Sequence, residues 1–187
     1  MKAILIIVLL FIFPLYSYAQ SKVEIEERIE KKDVPLPAQQ FIDSLCFSSK
    51  IKWFVEQNYI TKTFEAKITA NGTTCSIEFD SLGKIEDVEV EISWKKISED
   101  TQGKINEQLN TDFEKHKIKK IQIQYSGKET DLLNFRTNTE NLTIKYEIVV
   151  KGQKESKIEF YEYLFSEKGE LENKVQFDFR NTDHLEY

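Results

Sequence analysis

The chain has 187 residues, enough for one domain or two small ones, and 40% of them are hydrophobic, enough for a packed core. Its 26 Lys and Arg stand against 32 Asp and Glu, a net charge of −6 at pH 7. No long basic run offsets that balance, which argues against nucleic-acid binding, where affinity rests on neutralised phosphates.

Residues 1–19 read as a secretory leader. Lys2 is its only charge, Ala3 to Leu15 is an apolar run broken by Pro14, and Ser17-Tyr18-Ala19 offers small residues where signal peptidase reads. Cleavage is predicted before Gln20. The run is short for a membrane span, which needs roughly 20 apolar residues. Loss of Lys2 leaves 25 basic residues against 32 acidic, a net charge of −7. No second stretch of spanning length follows, so a soluble periplasmic or secreted protein is expected.

Residues 20–33 are a charge-dense arm containing KVEIEERIEKKD. The expectation is a flexible start that orders near Val34, with a short helix or an added strand as alternatives. A first unit then spans 34–95. Pro35 to Phe47 reads as a helix with Pro37 in the first turn and Ala38, Phe41, Ile42 and Leu45 as its apolar stripe. Ile51 to Gln57 reads as a strand with Trp53 on one face and Phe54 on the other.

From Phe64 to Ile92 three apolar runs of period two follow: Phe64, Ala66, Ile68; Cys75, Ile77, Phe79; Val88, Val90, Ile92. Alternation predicts three antiparallel strands with one buried and one wet face. Asn71-Gly72 predicts a type I′ hairpin turn, and Gly83 a left-handed position in the next turn.

A second unit is expected over 96–180. Ser98 is the predicted N-cap of a helix whose stripe is Ile105, Leu109 and Phe113, and Lys115, His116 and Lys117 suit its carboxyl end. Ile118 to Tyr125 reads as a strand. Residues 127–142 are an insertion, with a helical turn predicted near Asp131 to Phe135. Tyr146 to Phe179 reads as a second three-stranded copy. There Val175, Phe177 and Phe179 mirror Val88, Val90 and Ile92, at the cost of one extra residue, a predicted bulge. Residues 181–187 are a polar tail. The expected fold class is α+β: two tandem helix-plus-four-strand units forming an antiparallel sheet, with both helices on one face.

The texts VPLPAQQFIDSL, FEAKI, IEFDSLGKIEDVEVEI and YEYLFSEKGEL resemble the PepSY-like proteins of the Gram-negative periplasm, whose fold is similar to that of the beta-lactamase inhibitor protein. The resemblance spans about Val34 to Phe179. It implies a fold, and a role in binding, inhibiting or regulating other proteins. It carries no catalytic residues.

Little in the residues argues for an enzyme. His116 and His184 are the only histidines, without a zinc-binding spacing, and no G-x-S-x-G or phosphate-cradling glycine loop occurs. No cofactor or metal is expected. Cys46 and Cys75 are the only cysteines. A helix-to-sheet disulfide and two unlinked thiols are both open readings. Glu78 and Asp80 on one strand, with Glu89 and Glu91 on its neighbour, could bring two carboxyls together as a glycosidase needs, or simply solvate a face. Phe160 and Leu164 should face away from Tyr161, Tyr163 and Phe165, because adjacent strand residues point to opposite sides. With Phe54 they form the candidate binding patch, alongside Glu78 and Asp80. The leading reading is a non-enzymatic module that binds another envelope protein through the open sheet face. A carboxylate-based hydrolase and a structural envelope component are the alternatives. Partner identity and oligomeric state are not legible.

Overall fold

The structure is a computed structural model and describes residues 21–22, 25–57 and 61–177. The leader, its cleavage site, Phe179 and the tail lie outside the described residues. The elements are β1 (Ser21–Lys22), β2 (Ile25–Ile29), α1 (Leu36–Ser44), β3 (Ile51–Gln57), β4 (Lys62–Ala70), β5 (Thr73–Phe79), β6 (Ile85–Glu91), α2 (Glu99–Asp112), β7 (Lys115–Ser126), α3 (Glu129–Leu132), β8 (Thr143–Lys154), β9 (Lys157–Ser166) and β10 (Leu171–Phe177). All ten strands join one sheet, in the order β1-β10-β9-β8-β7-β6-β5-β4-β3-β2. β2 to β10 pair antiparallel, and β1 runs parallel to β10.

The period-two runs fold as their alternation requires. Phe64, Ala66, Ile68, Ile77, Phe79 and Val88 are buried together under Ala38, Phe41 and Ile42 of α1. Ile121, Tyr146, Ile148, Val150, Tyr163 and Phe165 are buried under Ile105 and Leu109 of α2. The ladders place both sets on the same side of the sheet, so both helices cover one face. Asn71 and Gly72 both have positive φ, 53° and 77°, as the I′ turn demands. Gly83 has φ +83°, and a Cβ there would stand 2.7 Å from the Pro35 Cβ, so this turn seats the start of α1. Ser98 caps α2 by accepting a hydrogen bond from the Thr101 N–H.

The expectation of two helix-plus-four-strand units needs correction: this is one mostly β domain. The β6–β7 ladder, from Asp87↔Ser126 to Glu91↔Gln122, makes the sheet continuous. The insertion also crosses the proposed boundary. Leu132 of α3 and Phe135 just after it are buried in the core beneath α1, so 127–142 closes that core instead of hanging as a loop. Burying a leucine there contributes about 1.5–3 kcal/mol.

Three local expectations also change. The arm does not wait for Val34: β2 pairs with β3 from Ile25↔Gln57 to Ile29↔Trp53. Lys115 to Lys117 do not end α2, which stops at Asp112; they open β7, with His116 opposite Gly152. In β10 the expected mirror is one residue off. Both hairpins carry a bulge at the same place, since Phe79↔Ile85 is followed by Glu78↔Asp87, and Phe165↔Leu171 by Leu164↔Asn173. Lys174 therefore faces Tyr163 on the helix side and Val175 faces Glu162 on the other. The sheet accepts a lysine there because Asp112 and a set of rings answer its charge. Its Nζ lies 3.1 Å from Asp112 Oδ2 and 4.7 Å from the Tyr161 ring centre.

Candidate functional site

The far face of the sheet, away from α1 and α2, is the face on which sequence reasoning placed the binding residues. Glu65 (5% exposed), Ser76 (2%), Glu89 (3%), Gln122 (1%) and Val149 (5%) point to this side and are nonetheless buried. Among the described residues no helix lies over them, so the sheet itself must curve around them, as twisted sheets of many strands do. The chain supports this. β1 pairs with β10 at one margin and β2 with β3 at the other, and Lys22 and Ile25 are three residues apart, at most about 11 Å. The two margins therefore approach each other.

Cross-strand pairing sets the rows on this face. One row runs Phe54↔Glu65↔Glu78↔Asp87↔Ser126, and the next Lys52↔Lys67↔Ser76↔Glu89↔Gln124↔Lys145. Oxygens of Glu78, Asp87 and Glu89 lie within 4.8 Å of one another. Gln124 Nε2 donates to Glu89 Oε1 at 3.2 Å, and Asp87 Oδ1 is buried without a hydrogen-bond partner. Burial above all holds the three acids above the usual carboxylate range; Glu89 and Asp87 add to it at Glu78, Glu89, Glu86 and Glu65 add to it at Asp87, which is pushed up to about 8, and at Glu89 the attraction of Lys120 opposes it while Glu162 and Glu65 add to it.

A second group stands beside the first. Oxygens of Glu26, Glu56 and Glu65 also lie within 4.8 Å of one another. Here Lys67 Nζ is 2.9 Å from Glu26 and 2.9 Å from Glu65, and 4.8 Å from the Phe54 ring centre. Burial works against the lysine's charge, but Glu65 and Glu26 hold it well above the ordinary lysine range.

The expected site residues scatter. Phe54 points to the far face but is buried beneath Lys67, so it is no exposed anchor. Glu78 does face a second carboxylate, but that carboxylate is Asp87, which sequence reasoning missed. Asp87 continues the period of Glu89 and Glu91. Its pairing with Glu78 depends on the bulge at Glu86, which alternation does not reveal. Asp80 lies beyond the end of β5 and builds the turn: its Oδ1 accepts from the Leu82 and Lys84 N–H groups, each at 2.9 Å. Glu91 is exposed at the end of β6. Phe160 and Leu164 do occupy the far face, half-buried, opposite Lys151 and Glu147. They sit on β9, three strands from β6, on either side of Glu162, whose charge acts on Glu89.

The disulfide is not formed. Cys46 is exposed beyond the end of α1 with φ 50°, and Cys75 is half-buried on β5; both are free. Burial pushes the Cys75 thiol up to about 12. No helix of the described residues is long and apolar enough to cross a membrane.

No family model matches the chain, and no match to a curated protein is found. The PepSY-like resemblance therefore gains no support from that side. Solved structures do match. DUF2874 family proteins from Bacteroides ovatus and Bacteroides uniformis align with a TM-score of 0.51 each, at 12% and 10% identity, over 76% of this chain and 87% and 89% of theirs. A BLIP-like protein from Bacteroides fragilis aligns at TM-score 0.47 and 18% identity, over 82% of this chain and 92% of its own. At these identities the likeness to the DUF2874 proteins is one of fold.

Proposed function

We infer that this chain is an exported, non-enzymatic module, periplasmic or secreted, that binds another envelope protein through the far face of its sheet, as an inhibitor-like protein would. The observation that carries the reading is the character of that face. It is curved, no described helix covers it, and it combines half-buried Phe160 and Leu164 with a concentration of carboxylates. Apolar anchors flanked by charge are what a protein interface needs, since the anchors supply affinity and the charges steer and select. The surplus of acid favours a partner with a basic contact surface. The leader-like residues 1–19 support export. Asp80 belongs to a turn on this reading, and the interface anchors are Phe160 and Leu164.

Affinity capture from an envelope extract tests it, using the exported protein beside a Phe160→Ala/Leu164→Ala double variant. A captured partner, purified and titrated, should bind the wild type and lose at least about tenfold affinity for the variant, the loss of one good anchor. Equal binding by both would place the interface elsewhere. A hydrolase using the far-face carboxylates is the competing reading; turnover of a glycoside panel abolished by Glu78→Gln would favour it.

A further inference from the structure

The sheet margin at β2 is open at one end. The β2–β3 ladder stops at Ile29↔Trp53, while β3 goes on pairing with β4 through Lys52↔Lys67 and Ile51↔Ile68. Beyond Ile29 the chain leaves the sheet, and the Glu30 and Lys31 carbonyls accept from the Asp33 and Val34 N–H groups instead. Ile51 and Lys52 are therefore the outermost residues of the sheet at this end. Successive strand residues aim their backbone N–H and C=O groups at opposite neighbours, so one of the two turns both groups outward. Among the described residues no backbone group of the departing chain answers it. The gap is a cleft of about 540 Å³ lined by residues 28–31 and 51–53.

Its two walls differ. Ile29 and Ile51 lie on the helix side, packed with buried Trp53 against the core beneath α1. Arg28 and Lys52 lie on the far side, and both are exposed. Among the described residues neither forms an ion pair, and Lys52 stands directly opposite another lysine, Lys67, a destabilising arrangement. The other charges of the cleft are spent, Lys31 on Asp43 at 2.9 Å and Glu30 on Lys32 at 2.7 Å. Two unpaired cations, an apolar wall and an open strand edge thus meet at one place, in a chain of net charge −6.

We propose that this cleft binds a short extended peptide segment in which apolar and acidic residues alternate. The segment adds to the edge of β3 where β2 has left it, a mode in which backbone bonds give affinity and alternate side chains give specificity. The alternation follows from geometry, because neighbouring residues of an added strand point to opposite faces. An apolar side chain meets Ile29 and Ile51, and the next, a carboxylate, meets Arg28 and Lys52. A basic segment would be repelled, and a wholly acidic one would set a carboxylate against the isoleucines. The cleft has the volume of a small-ligand site, so it takes a few residues and not a long strand. It uses neither Phe160 nor Leu164, and it stands or falls separately from the far-face reading.

The test titrates the isotopically labelled exported protein with a capped hexapeptide of alternating valine and glutamate, at pH 7.5 and low salt, followed by amide NMR. The expected result is saturable one-to-one binding that shifts the Ile51, Lys52 and Trp53 amides and weakens in high salt. Arg28→Gln/Lys52→Gln should weaken it at least about tenfold, the scale of losing one charge-assisted hydrogen bond. Lys84→Gln/Lys168→Gln removes the same charge from two exposed turn positions and should bind as wild type. The charge can also be removed from the ligand: a valine–glutamine hexapeptide repeats the test on the unaltered protein and should bind at least about tenfold more weakly. No shift at these amides up to about 10 mM peptide would overturn the proposal. So would equal binding of a valine–lysine hexapeptide, or undiminished binding by Arg28→Gln/Lys52→Gln. Glutarate binding as tightly as the peptide would overturn it too, because the strand edge would then contribute nothing.

Discussion

Asp87→Asn should stabilise the protein at neutral pH and weaken its dependence on pH. In the folded chain Asp87 is pushed from 3.8 up to about 8, by burial above all and then by Glu89, Glu86 and Glu65. Between those two pH values the folded state keeps a proton that the unfolded state has lost. Stability from this group is therefore fully present below about pH 4 and falls as pH rises, by ~1.36 kcal/mol per unit, until the folded group itself ionises near pH 8. At pH 7 the accumulated cost is about 4 kcal/mol on this scale. Asparagine does not titrate, so most of that cost disappears, less about 1–2 kcal/mol for an amide that must find new partners. Urea unfolding at pH 4.5, 6 and 7.5 measures it. Wild type should weaken across the series, while Asp87→Asn should weaken less and be more stable than wild type by roughly 3–4 kcal/mol at pH 7.5. Glu78 and Glu89, also raised, should leave a residual slope. A variant less stable than wild type at pH 7.5, with an unchanged slope, would refute the reasoning, because the carboxylates would then be solvated or already paired.

The remaining predictions concern the frame. Leu132→Ala should cost about 2–5 kcal/mol in urea unfolding, the usual range for a buried leucine, because α3 closes the core beneath α1; a change near zero would make the insertion dispensable. Gly83→Ala combines a left-handed backbone at φ +83° with a clash against the Pro35 Cβ, so a loss of at least about 1–2 kcal/mol is expected, whereas Gly72, with nothing within 4 Å of its Cβ site, should lose only the conformational part. A thiol reagent at pH 8 should label Cys46 at once and Cys75 only on unfolding, since one is exposed and the other is half-buried with its thiol pushed up to about 12. Two labels at once, or none, would contradict this.

Much of the fold follows from local chemistry. Alternating apolar residues, Asn71-Gly72, Gly83 and the Ser98 cap each act within a few residues, so strands, turns and the start of α2 are legible in order, and the shared helix face follows from parity. The bulges at Glu86 and Glu172 are different. Each shifts a register by one residue and so decides that Asp87, not a neighbour, meets Glu78, and that Lys174 instead of Val175 turns to the rings. Nothing in a period of two announces where a ladder slips.

The sequence by itself determined which residues can lie on one side of each strand, because that depends only on the extended backbone. It also bounded the chemistry, since an acidic chain with two histidines and no catalytic motif has few reactions open to it. Only the tertiary structure decided how deep the far face lies. Phe54, Glu65 and Glu89 read as exposed from alternation alone, and they are buried because ten strands curve and their margins approach each other. Curvature is a sum of small twists over the whole sheet, so no single stretch of the chain encodes it. That same curvature gathers Glu78, Asp87 and Glu89 into one group on the far face, where their oxygens lie within 4.8 Å of one another.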